Sequence, residues 1–398
     1  MDFHEVEADG IYVVDLAPGA RVKSANDKNQ VGLLPALHIS WPYDESLNLV
    51  GNQESPFPTL NKEPPFNAIL DLDSPAVEDL FRHLRTSITI RLSSIPVTDL
   101  MGIPRQQIAI LFSGGLDCTL IARIAHDVLP SQIEIDLLNV AFENPRVVEA
   151  ANKSDSATSN SYSVYERCPD RLTGRSSYEE LRKVCPSRKW RFVAINIPYS
   201  ETFSHRSTVL TLLLPHNTEM DLSIGYALYF ASRGCGLIAT EHGSDVFFTT
   251  PAKVLLSGLG ADELFGGYQR HATAYDRRGH SGLADELELD FKRIGKRNLG
   301  RDDRIISHWG KEVRYPYLDE DVVTWALKAP ISHKCGFGQD RGAKPSLDPS
   351  KKILRLLAWQ LGVRVAAGEK KRAIQFGART ARMETGKKKG TQLVSEEH

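Results

Sequence analysis

Two segments carry residues whose types and spacing point to chemistry: 106–126, QQIAILFSGGLDCTLIARIAH, and 252–271, AKVLLSGLGADELFGGYQRH. In the first, an apolar run meets Ser113-Gly114-Gly115. A helical pattern (Leu120, Ile121, Ile124, Ala125, Val128) begins at once. Paired glycines permit a tight turn in which backbone N–H groups approach an anion. A helix N-terminus adds free donors and a positive dipole end. With the Ser113 hydroxyl, this is a phosphate cradle built mostly from backbone. It holds no Gly-Lys-Ser/Thr and no lysine, so it is not a Walker loop, and its Ser-Gly-Gly-Leu-Asp order is not the dinucleotide GxGxxG turn either. Asp117 stands inside it. A carboxylate beside a triphosphate repels it unless a divalent cation bridges the two, which implies Mg²⁺.

The second segment repeats the design. The strand Val254 to Leu256 leads into Ser257-Gly258-Leu259-Gly260, and Asp262 opens a helix. Two such units can lie side by side at the carboxyl edge of one parallel sheet, where open α/β folds bind ligands. Asp117 and Asp262 would then share one or two Mg²⁺ ions on a single nucleotide. A third block, 300–320, crowds Arg301, Asp303, Arg304, Lys311, Glu312 and Arg314 before Tyr315-Pro316-Tyr317. It is either a salt-bridged surface or a wall that orients a zwitterionic or anionic substrate. A fourth, 368–380, carries Lys370, Lys371, Arg372 and Arg379. It is either a basic patch or a set of cations that stabilises charge on leaving phosphates.

The elements that must position these residues follow from periodicity. A helix with Val77, Leu80, Leu84 and Ile88 on one face precedes the strand Gln107 to Phe112. Strands are predicted at Ile135 to Phe142, Arg191 to Ile197 and Lys253 to Leu256. Helices are predicted at Glu219 to Arg233, closed by Gly234, around Leu287, Phe291 and Ile294, and from Ile353 to Leu361, closed by Gly362. Strands alternating with helices predict an α/β fold with a parallel sheet covered on both faces. Residues 1–75 hold a few strands and no complete domain. The stretch 150–164 reads as a polar insertion, and 386–398 as a disordered tail.

Composition narrows the classes. The chain has 398 residues, 41% hydrophobic and 25% charged, with 49 Lys plus Arg against 50 Asp plus Glu. That balance argues against a nucleic-acid partner, and no apolar run approaches the roughly 18 residues of a membrane span. The five scattered cysteines read as reduced thiols of a cytoplasmic protein.

The four segments together resemble the asparagine synthetase family. Ser113-Gly-Gly-Leu-Asp117 is similar to the loop of N-type ATP pyrophosphatases. Ser257-Gly-Leu-Gly-Ala-Asp-Glu-Leu-Phe-Gly-Gly-Tyr268 and RDDRIISHWGKEVRYPYLD extend the likeness. Pro169 to Arg175, Asn298 to Arg304 and Lys371 to Gly377 tie it to a narrower branch of that family. The resemblance implies an ATP-pyrophosphatase-type synthetase domain over 76–385 with a helical C-terminal part, after a remnant of a glutaminase-type domain in 1–75. It implies ligase chemistry in asparagine biosynthesis. The aspartate side chain is activated with ATP to an acyl-adenylate, pyrophosphate leaves, and ammonia attacks. It further implies that Ser113, Gly114, Gly115, Asp117 and Cys118 bind phosphates and that Leu111 and Val140 meet the adenosine. Ser257, Gly258 and Gly260 would flank the nucleotide, with Asp117 and Asp262 on Mg²⁺. Arg301 and Asp303 would stand in or near the reaction pocket, with Arg314 a weaker candidate. Lys371 and Arg372 compete for the pyrophosphate role, because the spacing there has two extra residues.

The chain departs from the family pattern in several places. Leu259 stands where synthetases carry a Glu thought to assist ammonia, and leucine cannot move a proton. Cys118 replaces the usual Ser. Residue 2 is Asp where a Cys nucleophile would open a glutaminase domain, so no glutamine hydrolysis is expected of this chain. These departures leave an alternative open: a nucleotide-binding homologue with a structural or regulatory role.

Overall fold

A computed structural model describes residues 57–64, 69–95, 107–154, 163–240, 243–339, 345–383 and 390–394, with the backbone of two strands nearer the N-terminus. Those strands, β1 (Gly10–Val14) and β2 (Ala36–Ser40), pair antiparallel as a separate two-stranded sheet. They fall where alternation in residues 1–75 predicts strands.

The main sheet has seven strands in the order β7-β6-β5-β4-β3-β8-β9. These are β3 (Ile108–Leu111), β4 (Ile135–Phe142), β5 (Trp190–Ile197), β6 (Cys235–Ala239), β7 (Asp245–Thr249), β8 (Val254–Leu256) and β9 (Glu312–Arg314). Five strands are parallel, as expected of an α/β fold. The β6–β7 hairpin joins antiparallel at one edge, which the sequence pattern did not predict. Strand β3 lies centrally and pairs with both β4 and β8. The register sets Ile110 beside Leu256 and Leu111 beside Leu138. Both glycine-rich loops therefore leave the sheet next to each other.

Alternate side chains of β3 serve opposite faces. Ile108 and Ile110 join a core with Val77, Leu80, Leu84 and Ile88 of α1 (Pro75–Ser93) and with Ile121 and Ile124 of α2 (Leu116–Val128). On that side the helix Lys352–Gln360 adds Ile353, Leu354 and Leu357. Ala109 joins the other core, under Leu222, Tyr226, Tyr229 and Phe230 of the helix Glu219–Arg233. Gly234 ends that helix at φ +69°, a left-handed cap that glycine adopts without a Cβ penalty.

The polar insertion and the tail differ in part from expectation. Pro145–Ser154 is helical, while 155–162 lies outside the described residues. Residues 390–394 fall within the stretch read as a disordered tail, yet they are placed: Leu393 bridges Thr218, and Met220 and Glu219 donate backbone N–H groups to Gly390 and Gln392. Among the described residues no helix is long and apolar enough to cross a membrane. All five cysteines are free.

Candidate functional site

Each glycine-rich loop is shaped by the same local device. The Ser113 Oγ accepts from the Gly115 N–H at 3.3 Å, and the Ser257 Oγ accepts from the Leu259 N–H at 3.3 Å. Such serine turns fold the chain back without help from elsewhere. The first loop is then fixed from outside. Gly114, at φ +80°, lies so close to Gly174 that a Cβ would stand 2.4 Å from its backbone nitrogen. Ser177 donates to the Gly114 carbonyl at 2.7 Å. The two loops meet at Gly258, where a Cβ would come within 3.0 Å of the Asp117 Cβ.

A cavity of about 310 Å³ opens above this junction. Of the expected residues, Leu111, Ser113, Gly115, Asp117, Cys118, Val140, Ser257, Gly258, Asp262, Arg301, Lys371 and Arg372 line it together. Leu138, Ile224, Ala227, Leu228 and Ala231 make one end apolar. Gly114 and Gly260 are absent from the lining. They turn the loops instead, Gly260 at φ +100° against Leu318. Asp303 is a correction. It is exposed and outside the cavity, whereas its neighbour Asp302 is buried and lines it. Successive residues of a helix point about 100° apart, so in Gly300–Ser307 the positions of Arg301 and Asp302 face inward while Asp303 turns out. Arg314 is a second correction. It binds Glu312, the Arg91 carbonyl and Ser94, away from the cavity.

The two carboxylates converge, but on a side chain the sequence reading missed. Lys351 is 2% exposed, and its Nζ lies 2.9 and 2.8 Å from Asp117 Oδ1 and Oδ2. The same ammonium stands 2.9 Å from Asp262 Oδ1, an ion pair without hydrogen-bond alignment. Lys371 Nζ reaches Asp262 Oδ2 at 2.5 Å and sits over the Tyr268 ring, 5.0 Å from its centroid. The Lys351 and Lys371 charges hold Asp262 well below the usual carboxylate range, against the opposing effect of burial. Lys351 is raised above the ordinary lysine range by its two carboxylates, again against burial. No sequence signal marks Lys351: it caps a helix N-terminus in a left-handed conformation (φ 50°), where the dipole disfavours a cation, and only the fold brings it to the two acids.

Arg372 turns the other way, donating to the Thr173 Oγ1 at 3.1 Å and lying 3.8 Å from Asp170. Asp170 is 7% exposed, and burial pushes its carboxyl up to about 7 despite Arg372 and Lys371. Beneath it, the fully buried Arg171 donates to Asn139 Oδ1 (2.7 Å) and Asn196 Oδ1 (2.8 Å) and pairs with Glu166 at 2.7 Å. Asn139 in turn donates to the Phe112 and Asp170 carbonyls, each at 2.9 Å. This lattice joins the end of β3 to the helix Pro169–Val184. Cys118 donates its thiol to the Gly115 carbonyl, and burial pushes it up, so it contributes shape and a backbone N–H rather than a thiolate. Arg301 donates Nε to Asp302 at 2.8 Å and pairs with Asp221 at 3.0 Å, all three buried.

Among the described residues no group of three or more His, Cys, Asp or Glu converges as a metal site. The Asp117–Asp262 pair does suit Mg²⁺ delivered with phosphates, since Mg²⁺ is commonly bound through one or two carboxylates plus substrate oxygens. Asp262 Oδ1, buried without an aligned donor, faces that same focus.

Comparison with known proteins bears on the same residues. Residues 248–281 and 272–361 match the family described as asparagine synthase. The chain is 40% identical over 316 residues to asparagine synthetase domain-containing protein 1 of Gallus gallus, covering 73% of this chain and 49% of that protein. It is 36% identical over 371 residues to an asparagine synthetase domain-containing protein of Saccharomyces cerevisiae (90% and 63%). It is 44% identical over 115 residues to a putative glutamine-hydrolyzing asparagine synthetase of Methanocaldococcus jannaschii (29% and 19%). The chain spans about half the length of the first of these relatives.

Proposed function

From the premise that this chain belongs to the asparagine synthase family, we propose that its cavity activates a carboxylate, the aspartate side chain, with ATP for amide formation with ammonia. A carboxylate oxygen attacks the α-phosphorus, the bond to the bridging oxygen breaks, and pyrophosphate leaves an acyl-adenylate. The nitrogen of ammonia then attacks the acyl carbon, AMP leaves with the acyl–oxygen electron pair, and the nitrogen loses a proton. The observation that carries this reading is the meeting of two glycine-rich loops whose acids, Asp117 and Asp262, face one ammonium.

The apolar end, with Leu111, Leu138, Val140, Ile224 and Leu228, suits the adenosine. Backbone N–H groups at Ser113–Cys118 and Ser257–Gly258 suit the phosphates. Asp117 and Asp262 would hold Mg²⁺, whose contribution is to neutralise phosphate charge. Lys371 stands with Asp262 and takes the pyrophosphate role, while Arg372 is occupied by Thr173 and Asp170. Fixed cations of this kind stabilise charge that develops on a leaving phosphate.

A specific observation favours a second reading, nucleotide binding without amide synthesis: Leu259 lines the cavity where a proton acceptor would serve. ATP–pyrophosphate exchange separates the two. With Mg²⁺ present, the proposed activity predicts exchange that requires aspartate. Bound ATP with no exchange under any acceptor supports the second reading.

A further inference from the structure

The cavity lining not assigned above to the nucleotide has a charge pattern of its own. Beyond the second loop it is walled by Leu259, Tyr268, Asn298, Arg301 and Asp302. Tyr268 and Asn298 are turned to the buried Glu263, at 2.5 and 3.4 Å. The guanidinium on this wall, Arg301, already faces two acids: its Nε is on Asp302 and its NH1 on Asp221. One cation faces two carboxylates, so the cluster carries a net charge of −1 when both acids are ionised. The side chains of Arg301, Asp221 and Asp302 are 5%, 8% and 9% exposed, so water screens little of that charge.

Asp302 is the open member. Its Oδ1 takes the Arg301 bond, and among the described residues no hydrogen bond is made to its second oxygen. Burial raises its affinity for a proton despite Arg301 and the nearby His216. The other cavity cations lie with the phosphate loops or the 369–372 segment: Lys351 between Asp117 and Asp262, Lys371 on Asp262, Arg372 at Asp170, Arg355 on the Ser350, Ala367 and Glu369 carbonyls, and the exposed Lys370 near Asp348.

We infer that the acceptor is recognised by its amine: Asp302, held by Arg301 and Asp221, receives the ammonium of an amino-bearing carboxylic acid, and no residue reads a second carboxylate. The inference rests on the adenylate-forming reading above. An incoming ammonium brings the cluster to neutrality. An incoming carboxylate takes it to −2 in a buried setting, where like charges are strongly disfavoured. Aspartate qualifies through its α-amino group, but its α-carboxylate gains nothing here.

Three acids test this, each used in ATP–pyrophosphate exchange with the full chain and Mg²⁺: aspartate, β-alanine (aspartate without its α-carboxylate) and succinate (aspartate without its amine). Aspartate and β-alanine are expected to support exchange comparably. Succinate should fall short by roughly 10⁴-fold, because a site built to bind an N–H group rejects an analogue lacking it. Succinate matching aspartate while β-alanine is inert overturns the inference and leaves the adenylation reading standing. No exchange with any of the three overturns that reading, and this inference with it. Asp302→Asn should narrow the gap between aspartate and succinate, and an unchanged gap removes Asp302 from the role. Should that variant not fold, the three acids on the unaltered chain still decide.

Discussion

Lys351 holds together two acids that would otherwise repel each other, so its removal gives a sharp test at the scale of one residue. Lys351→Met should destabilise the protein by about 3–5 kcal/mol, the usual cost of stripping one partner from a buried ion pair. Mg²⁺ should restore part of that loss, because the bare Asp117–Asp262 pair is the donor set that cation prefers. Thermal unfolding with and without Mg²⁺ reads both effects, and a midpoint indifferent to Mg²⁺ speaks against a shared cation locus. Leu259→Glu returns a proton acceptor to the cavity wall. Ammonia-dependent amide formation should rise by roughly a hundredfold, the scale of general-base assistance. No rise, with ATP still bound, means another group or no group moves that proton. At this scale the loop residues were legible because Ser, Gly and Asp act through their immediate neighbours. Asp303 was not, because charge alternation alone does not say which of two adjacent acids turns inward.

At the scale of elements, the first loop depends on a helix some sixty residues away. Gly114→Ala would drive a methyl group into the backbone of Gly174 and force a side chain onto a φ of +80°. Positive φ alone costs about 1 kcal/mol for such a residue, and the clash adds to it. The variant should lose nucleotide affinity more steeply than stability, because the loop must move off the Pro169–Val184 helix to accept it. Calorimetric ATP titration beside thermal unfolding checks this, and equal losses in both would make Gly114 an ordinary core position. Strands β4 and β8 and the helix Glu219–Arg233 were legible from apolar runs, period and the Gly234 stop. The β6–β7 hairpin was not. Its strands place exposed Val246 and Phe247 beside polar residues without a clean alternation, and their pairing is set by β5.

At the scale of the whole molecule, Asp170 links folding to pH. Its carboxyl is pushed up to about 7 in the fold, from an ordinary value of 3.8. The folded state therefore holds this proton where the unfolded chain releases it. Its contribution to stability is present in full below about pH 4 and is lost as pH rises to about 7. Asp170→Asn abolishes that loss, so the variant's unfolding midpoint should gain on the parent's at about pH 8 and lose the advantage near pH 4. A difference constant across that range would mean Asp170 is ionised throughout in both states.

By itself the sequence determined the two glycine-rich turns, the strands that feed them and the α/β order, because each rests on local physics: allowed φ, side-chain period and helix capping. Tertiary structure alone decided which cations answer those turns. Lys351 meets Asp117 across 234 positions, and Lys371 meets Asp262 across 109. Such pairings arise only when separate helices settle on one sheet edge, since buried charge must be met by whatever opposite charge the packing brings within reach.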